Sequence, residues 1–323
     1  MVKDVKINMV IITKRSAWHL ETGNDSVKTK CLFEGEGVRR IAETSCLQAI
    51  ALANNRILLM APGSESFQTH PTYIPGRIDS LLIIHDNPPT MLIGTKGAHL
   101  HKWVEGGGSA KLVDSFEKLE CRGKWYTPWG DPPSVRSLAL AQSGWVYADI
   151  HVGSIIRSPN YGALWEPASP TLDEDVHQVA VCSSSDQNVY AATAGSVYIS
   201  KDCGSSWLYR GEELGGRYSR AIAVHPRNPD CILATVSNGP HGDDVEGELF
   251  RTENAGQHWE HITKGFPAST KKNIDTFHIG FSNEGTAWAV ADNLLYRGLD
   301  QATHWSEFWK APDLITGIAL KNV

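Results

Sequence analysis

The stretch TENAGQHW, Thr252 to Trp259, has two relatives upstream: SPNYGALW from Ser158 to Trp165 and SKDCGSSW from Ser200 to Trp207. All three read Ser/Thr-x-Asp/Asn-x-Gly-x-x-Trp. Each follows a short β-branched run and precedes another, as in SVYISKDCGSSWLYRG and GELFRTENAGQHWEHI, which makes it a hairpin turn between two strands. The chemistry suits a turn. An Asp or Asn side chain bonds backbone amides nearby, Gly supplies a left-handed position, and Trp anchors the turn on the next strand. Weaker copies stand at GLDQATHW from Gly298 and EGGGSA from Glu105.

Aligning the chain on these turns exposes a longer repeat. Seven segments begin with a polar residue and continue with alternating small and large apolar ones: QAIAL at Gln48, DSLLI at Asp79, RSLAL at Arg136, HQVAV at His177, RAIAV at Arg220, DTFHI at Asp275 and TGIAL at Thr316. One such run is a weak strand signal, but seven define a repeated strand. Behind most of them comes a second strand (WVYAD, NVYAAT, CILATV, TAWAVA), then a third leading into the motif turn, then a fourth starting near its Trp. Four short antiparallel strands in a unit of about forty residues form a propeller blade. The expected fold is therefore all-β: a seven-bladed β-propeller of four-stranded antiparallel blades, one domain over residues 1–323. The last inner strand, ITGIALKN, has no successors, while VKINMVIIT, SAWHLE and VKTKCLF near the amino terminus have no inner strand before them. The two should share one blade and close the ring, leaving no open edge.

The motif turns resemble the Asp-box, or BNR, repeat of sialidases, sortilin-type receptors, xyloglucan-degrading glycosidases and photosystem II assembly factors of the Ycf48 type. AVHPRNPDCILATVSNGP and LFRTENAGQHWEHITKGFP are similar to a group of bacterial WD40/YVTN/BNR-like glycosyl hydrolase proteins. In that superfamily the turns lie at the blade periphery, so the resemblance implies fold and not activity. A sialidase arginine triad with its tyrosine nucleophile does not map onto this sequence.

Composition narrows the partners. The net charge of -6 among 323 residues leaves no basic field for nucleic acid or an anionic membrane. No stretch approaches eighteen apolar residues, and the amino-terminal apolar run is too interrupted for a secretory segment, so the expected location is cytoplasmic. Cys31, Cys46, Cys121, Cys182, Cys203 and Cys231 show no zinc or redox spacing and read as small, mostly buried thiols. No cofactor and no metal site is expected.

Function then falls to the channel mouth. The polar residues that open the inner strands should form a ring, Thr316, Gln48, Asp79, Arg136, His177, Arg220 and Asp275, in which Arg-His-Arg makes a cationic arc flanked by two carboxylates. Two guanidinium forks suit a carboxylate or phosphate, and a histidine between them can transfer a proton. The candidate catalytic residues are Asp79, His177 and Asp275. The candidate ligand-binding residues are Gln48, Arg136, Arg220 and Thr316, with Trp125, Tyr126 and Trp129 of the loop CRGKWYTPWGDPPS offering rings to stack on a sugar or another flat molecule. The plain alternative is that Asp79 and Asp275 pair with neighbouring arginines. The loop NGPHGDDVEGE, with His241, Asp243, Asp244 and Glu246, lacks calcium-loop spacing and reads as a solvated acidic loop, and His99, His101 and His151 stand near second-to-third strand connections. Three classes remain open: a hydrolase acting on a glycan or other anionic small molecule, a binding module for such a ligand, and a protein-interaction or assembly scaffold.

Overall fold

The structure is a computed structural model that describes residues 8–22, 27–35, 37–61, 64 and 66–320. Seven four-stranded antiparallel sheets form a ring. Counting from the blade that joins the two ends, the inner strands are Ile315–Leu320, Val38–Glu43, Ile78–Asp86, Val135–Leu140, Val176–Cys182, Tyr218–His225 and Ile279–Phe281. In blade 1 the strand Ile315–Leu320 pairs antiparallel with Asn8–Thr13, which pairs with Ser16–Thr22 and that with Val27–Glu34. The ring is closed as the unmatched ends require; Val5 to Ile7 of the expected strand lie outside the described residues.

Side-chain alternation explains why this closure holds. Successive residues of a strand face opposite sides of the sheet, so each blade feeds two cores. On Asn8–Thr13, Met9 and Ile11 pack with Trp288 and Val290 of blade 7, whereas Val10 and Ile12 pack with Ile50 and Leu58 of blade 2. Neighbouring blades grip each other in this way around the ring, as where Tyr190 and Ile199 of blade 5 meet Ile222 and Ile232 of blade 6.

Two placements correct the sequence reading. QAIAL is the second strand of blade 2, Gln48–Leu52, and its inner strand is Val38–Glu43. The segment RRIAE from Arg39 carries the repeated pattern, disguised because it opens on two charges and closes on a third. Gln48 therefore lies at the far end of its blade, donating to Glu43 at 2.8 Å. In blade 7 the strand begins at Ile279, so Asp275 sits in the loop before it. The thiols depart from expectation in their burial: of the six, only Cys182 and Cys231 are buried.

The motif turns join third and fourth strands, as between Ser196–Ser200 and Leu208–Tyr209. Asp202 Oδ1 accepts from Ser200 Oγ and from the Ser206 amide, both at 2.8 Å, and Ser200 Oγ in turn accepts from the Gly204 amide at 2.8 Å. Asn160 and Asn254 repeat the bonds from Leu164 and His258 amides at 2.8 and 2.9 Å. Cys203 and Gly204 are both left-handed, at φ of 57° and 81°, a geometry that favours glycine at the second position. In GLDQATHW, Ala302 takes the left-handed position and Trp305 Nε1 still donates to its carbonyl at 2.8 Å, as Trp165 does to Gly162 at 2.9 Å. Asp202→Ala should therefore lower stability by about 1 kcal/mol, the usual value of a locally satisfied bond, and leave the opposite end of the channel untouched; chemical denaturation and anion titration of the same variant check both.

Candidate functional site

Inner strands start, inter-blade loops arrive and second strands turn into third strands all at one end of the ring, the loop face; the motif turns occupy the opposite, turn face. At the loop face, inner strands slip register against their neighbours by a β-bulge. The displaced residues are Thr316, Arg39, Asp79, Arg136 and His177, and in blade 6 the pair Arg220 and Ala221. A bulge re-aims the side chain of its extra residue. The polar ring is thus produced by a repeated backbone irregularity, with Arg39 in the place expected for Gln48.

Arg136, His177 and Arg220 come together. Arg136 and Arg220 expose only 15% and 16% of their side chains, and His177 none. The residue that links Arg136 and His177 is Asp175, in the loop before blade 5: its Oδ1 lies 3.2 Å from His177 Nε2, 3.8 Å from Arg136 Nη1 and 3.8 Å from His151 Nε2. His177 Nδ1 donates to the Ser219 carbonyl at 2.5 Å, which leaves Nε2 as the basic nitrogen facing Asp175. Burial, against the pull of Asp175, pushes His177 down to about 4, and burial followed by the Arg136 charge pushes His151 to about 4. Tyr218 packs its ring 4.3 Å from that of His177.

The flanking carboxylates are both engaged. Asp79 holds Arg77 through two bonds of 2.6 and 3.0 Å, and its carbonyl accepts from Arg40 Nε at 2.6 Å. Asp275 receives Arg220 Nε and Nη2 at 2.8 Å and the Thr276 amide at 2.8 Å, yet remains 43% exposed. Arg136 is less well served. Burial first, then the positive charge of Arg220, lowers its pKa, and Nη1 makes no hydrogen bond. In Asp149, whose Oδ1 is bound by the Ser137 amide at 2.6 Å, burial drives the carboxyl up to about 7 despite Arg136.

Loops complete the rim. Trp129, 54% exposed, lies 5.1 Å from the ring of His151 and 5.6 Å from that of His241, so the loop 121–134 and the blade 6 loop meet over this side of the mouth. Tyr126 is 52% exposed, while Trp125 turns inward against Phe116 beneath Arg122. Thr316 donates to the Ile12 carbonyl at 3.3 Å. His99 is taken up by Glu117 at 2.8 Å, and His101 is buried. Among the described residues no group of three or more His, Cys, Asp or Glu side chains is arranged to hold a metal ion, and no helix is long and apolar enough to cross a membrane.

Sequence reasoning missed Asp175 and Arg40. Asp175 stands two residues before His177 in DEDVHQ, an acidic run that reads as solvated surface. Arg40 was hidden by the register of blade 2. A third element reaches into the channel beneath the ring: Phe277, which lines the channel cavity, whose amide donates to Gln178 Oε1 at 3.4 Å and whose ring lies 5.3 Å from the Arg40 guanidinium.

Comparisons with known proteins bear on the fold. Residues 153–313 match the family model described as Sortilin, neurotensin receptor 3 (Sortilin-Vps10). Among solved structures, the chain is similar to an ancestral GH74 enzyme at 16% identity and a TM-score of 0.63, over 98% of this chain and 40% of that one. It is similar to the GH74 enzyme of Niastella koreensis at 16% identity and a TM-score of 0.68, over 94% of this chain and 54% of that one. Ycf48 bound to D1 peptide matches at 15% identity and a TM-score of 0.56, over 88% of this chain and 90% of that one. The chain thus spans less than two thirds of either GH74 enzyme. No curated protein sequence matches it. Together these findings fit a BNR-like seven-bladed β-propeller.

Proposed function

We propose that the loop-face mouth is a binding site for an anionic group of a small molecule or saccharide, held by Arg136 and Arg220 with His177 between them and with Trp129 and Tyr126 offering rings beside it. The observation that carries this reading is Arg136, a nearly buried guanidinium that feels the charge of Arg220 and leaves Nη1 without a hydrogen bond. Asp175 faces that nitrogen only at ion-pair distance, 3.8 Å, and an anion shared with Arg220 would add the charge-assisted hydrogen bonds that the two guanidinium groups can still make. Thr316 stands at the rim of the same ring. A cytoplasmic location and a protein partner bearing the anionic group are compatible with this site.

Hydrolysis by Asp79 and Asp275 is the less favoured form of the proposal, because each carboxylate already holds an arginine. Titration calorimetry with phosphate and citrate tests the binding form: saturable binding that weakens with salt supports it, and no heat from either anion refutes it. Asp275→Asn should tighten phosphate about tenfold by releasing Arg220 from a charged partner; an unchanged or weaker affinity counts against competition between Asp275 and the ligand. His177→Gln separates the classes. It spares binding in both cases, but removes turnover only where the histidine transfers protons.

A further inference from the structure

The channel behind Phe277 is a well of about 730 Å³. Its walls carry Ile41, Leu138, Leu140, Ala180, Phe281 and Leu320, all partly exposed, and it opens at the turn face past Thr44, Asp86, Gln142 and Ser183. Among the described residues, the charged side chains that line it, Glu43 and Asp86 with His85, all sit at that rim. The volume falls in the range of ordinary small-ligand sites, about 300–1,000 Å³. From Gln178 to Ser183 the wall runs five residues, a depth of about 16 Å at strand rise.

Among the described residues, the segment Asp275–His278 touches both the well and the arginines: Phe277 lines the well and Asp275 holds Arg220. Thr276 Oγ1 donates to the carbonyls of His177 and Arg220 at 3.2 and 3.1 Å, and the Phe277 carbonyl accepts from the Ile318 amide at 3.1 Å, so the segment bridges the channel from blades 5 and 6 to blade 1. Phe277 holds this position with φ at 67°, a left-handed conformation that a bulky residue adopts at a cost. The segment is anchored on the mouth side by the Arg220–Asp275 pair, the same arginine an incoming anion would engage. An anion that takes Arg220 therefore loosens the anchor of the residue that closes the well.

We propose that the ligand of this site is an anionic amphiphile with a single alkyl chain, its head on Arg136 and Arg220 and its chain in the well vacated by Phe277. The inference rests on the anion reading and adds the chain to it. The test is calorimetric binding of acetate, hexanoate and dodecanoate below their aggregation limits, with dodecanol as the uncharged control. Affinity should rise about threefold to fourfold for each methylene that enters the well, and dodecanol should bind far more weakly than dodecanoate. Leu138→Asp should erase the gain with chain length while leaving acetate unchanged, and Phe277→Ala should tighten dodecanoate but not acetate. Arg136→Ala should weaken every carboxylate. No binding by any carboxylate overturns the anion reading itself. Equal affinity for acetate and dodecanoate, or dodecanol binding as tightly as dodecanoate, overturns the amphiphile alone.

Discussion

Removal of residues 312–323 should yield a protein that aggregates. The deleted segment contains the inner strand of blade 1, which pairs with Met9–Thr13 and places Ile315 and Ile318 in the core shared with blade 7. Losing the burial of those two side chains alone costs about 1.5–3 kcal/mol each, against a total stability of about 5–15 kcal/mol for a typical domain. The geometric damage is larger than the sum. Asn8–Thr13 becomes an open edge, and Met9 and Ile11, fully buried in the intact ring, lose part of their cover. An exposed apolar edge is a template for pairing with other chains. Light scattering and the soluble fraction after expression check the outcome, and a truncated chain with unchanged solubility and melting would show that the terminal strand is dispensable.

Arg136→Ala combined with Arg220→Ala should weaken phosphate or citrate binding by about a hundredfold or more, since each charge-assisted hydrogen bond contributes about 1.5–3 kcal/mol. The fold should survive. Arg220 leaves behind Asp275, which is solvent-exposed enough to stay hydrated, and Arg136 leaves Asp175, whose side chain also reaches solvent. Circular dichroism on the double variant separates lost binding from lost structure. Retained binding in a folded double variant would assign the mouth to another role, with interaction scaffold as the remaining reading.

The blades were legible because two local signals repeat. Alternating runs such as RSLAL and HQVAV mark strands that bury both faces, and the turns around Asn160, Asp202 and Asn254 need a specific set of donors and a left-handed residue. Where either signal fails, the reading fails with it. RRIAE does not look like a buried strand because Arg39 and Arg40 emerge at the loop face and Glu43 at the turn face, so the more apolar QAIAL took its place and carried Gln48 into the ring. The site was legible only as far as single positions on strands. Arg136, His177 and Arg220 do converge, since their bulges recur blade after blade. Their partners lie in irregular segments whose contacts are set by the closed ring: Asp175 comes from an inter-blade loop, and Phe277 reaches across the channel to Arg40 and Gln178.

A crystal structure grown with phosphate or citrate tests the central claim most directly. The anion should lie within hydrogen-bond distance of both Arg136 and Arg220, with Arg136 Nη1 bonded to it and the Arg220–Asp275 contact lengthened. A mouth without anion at saturating phosphate, with Arg220 still on Asp275 and Arg136 Nη1 still without a hydrogen bond, would contradict it.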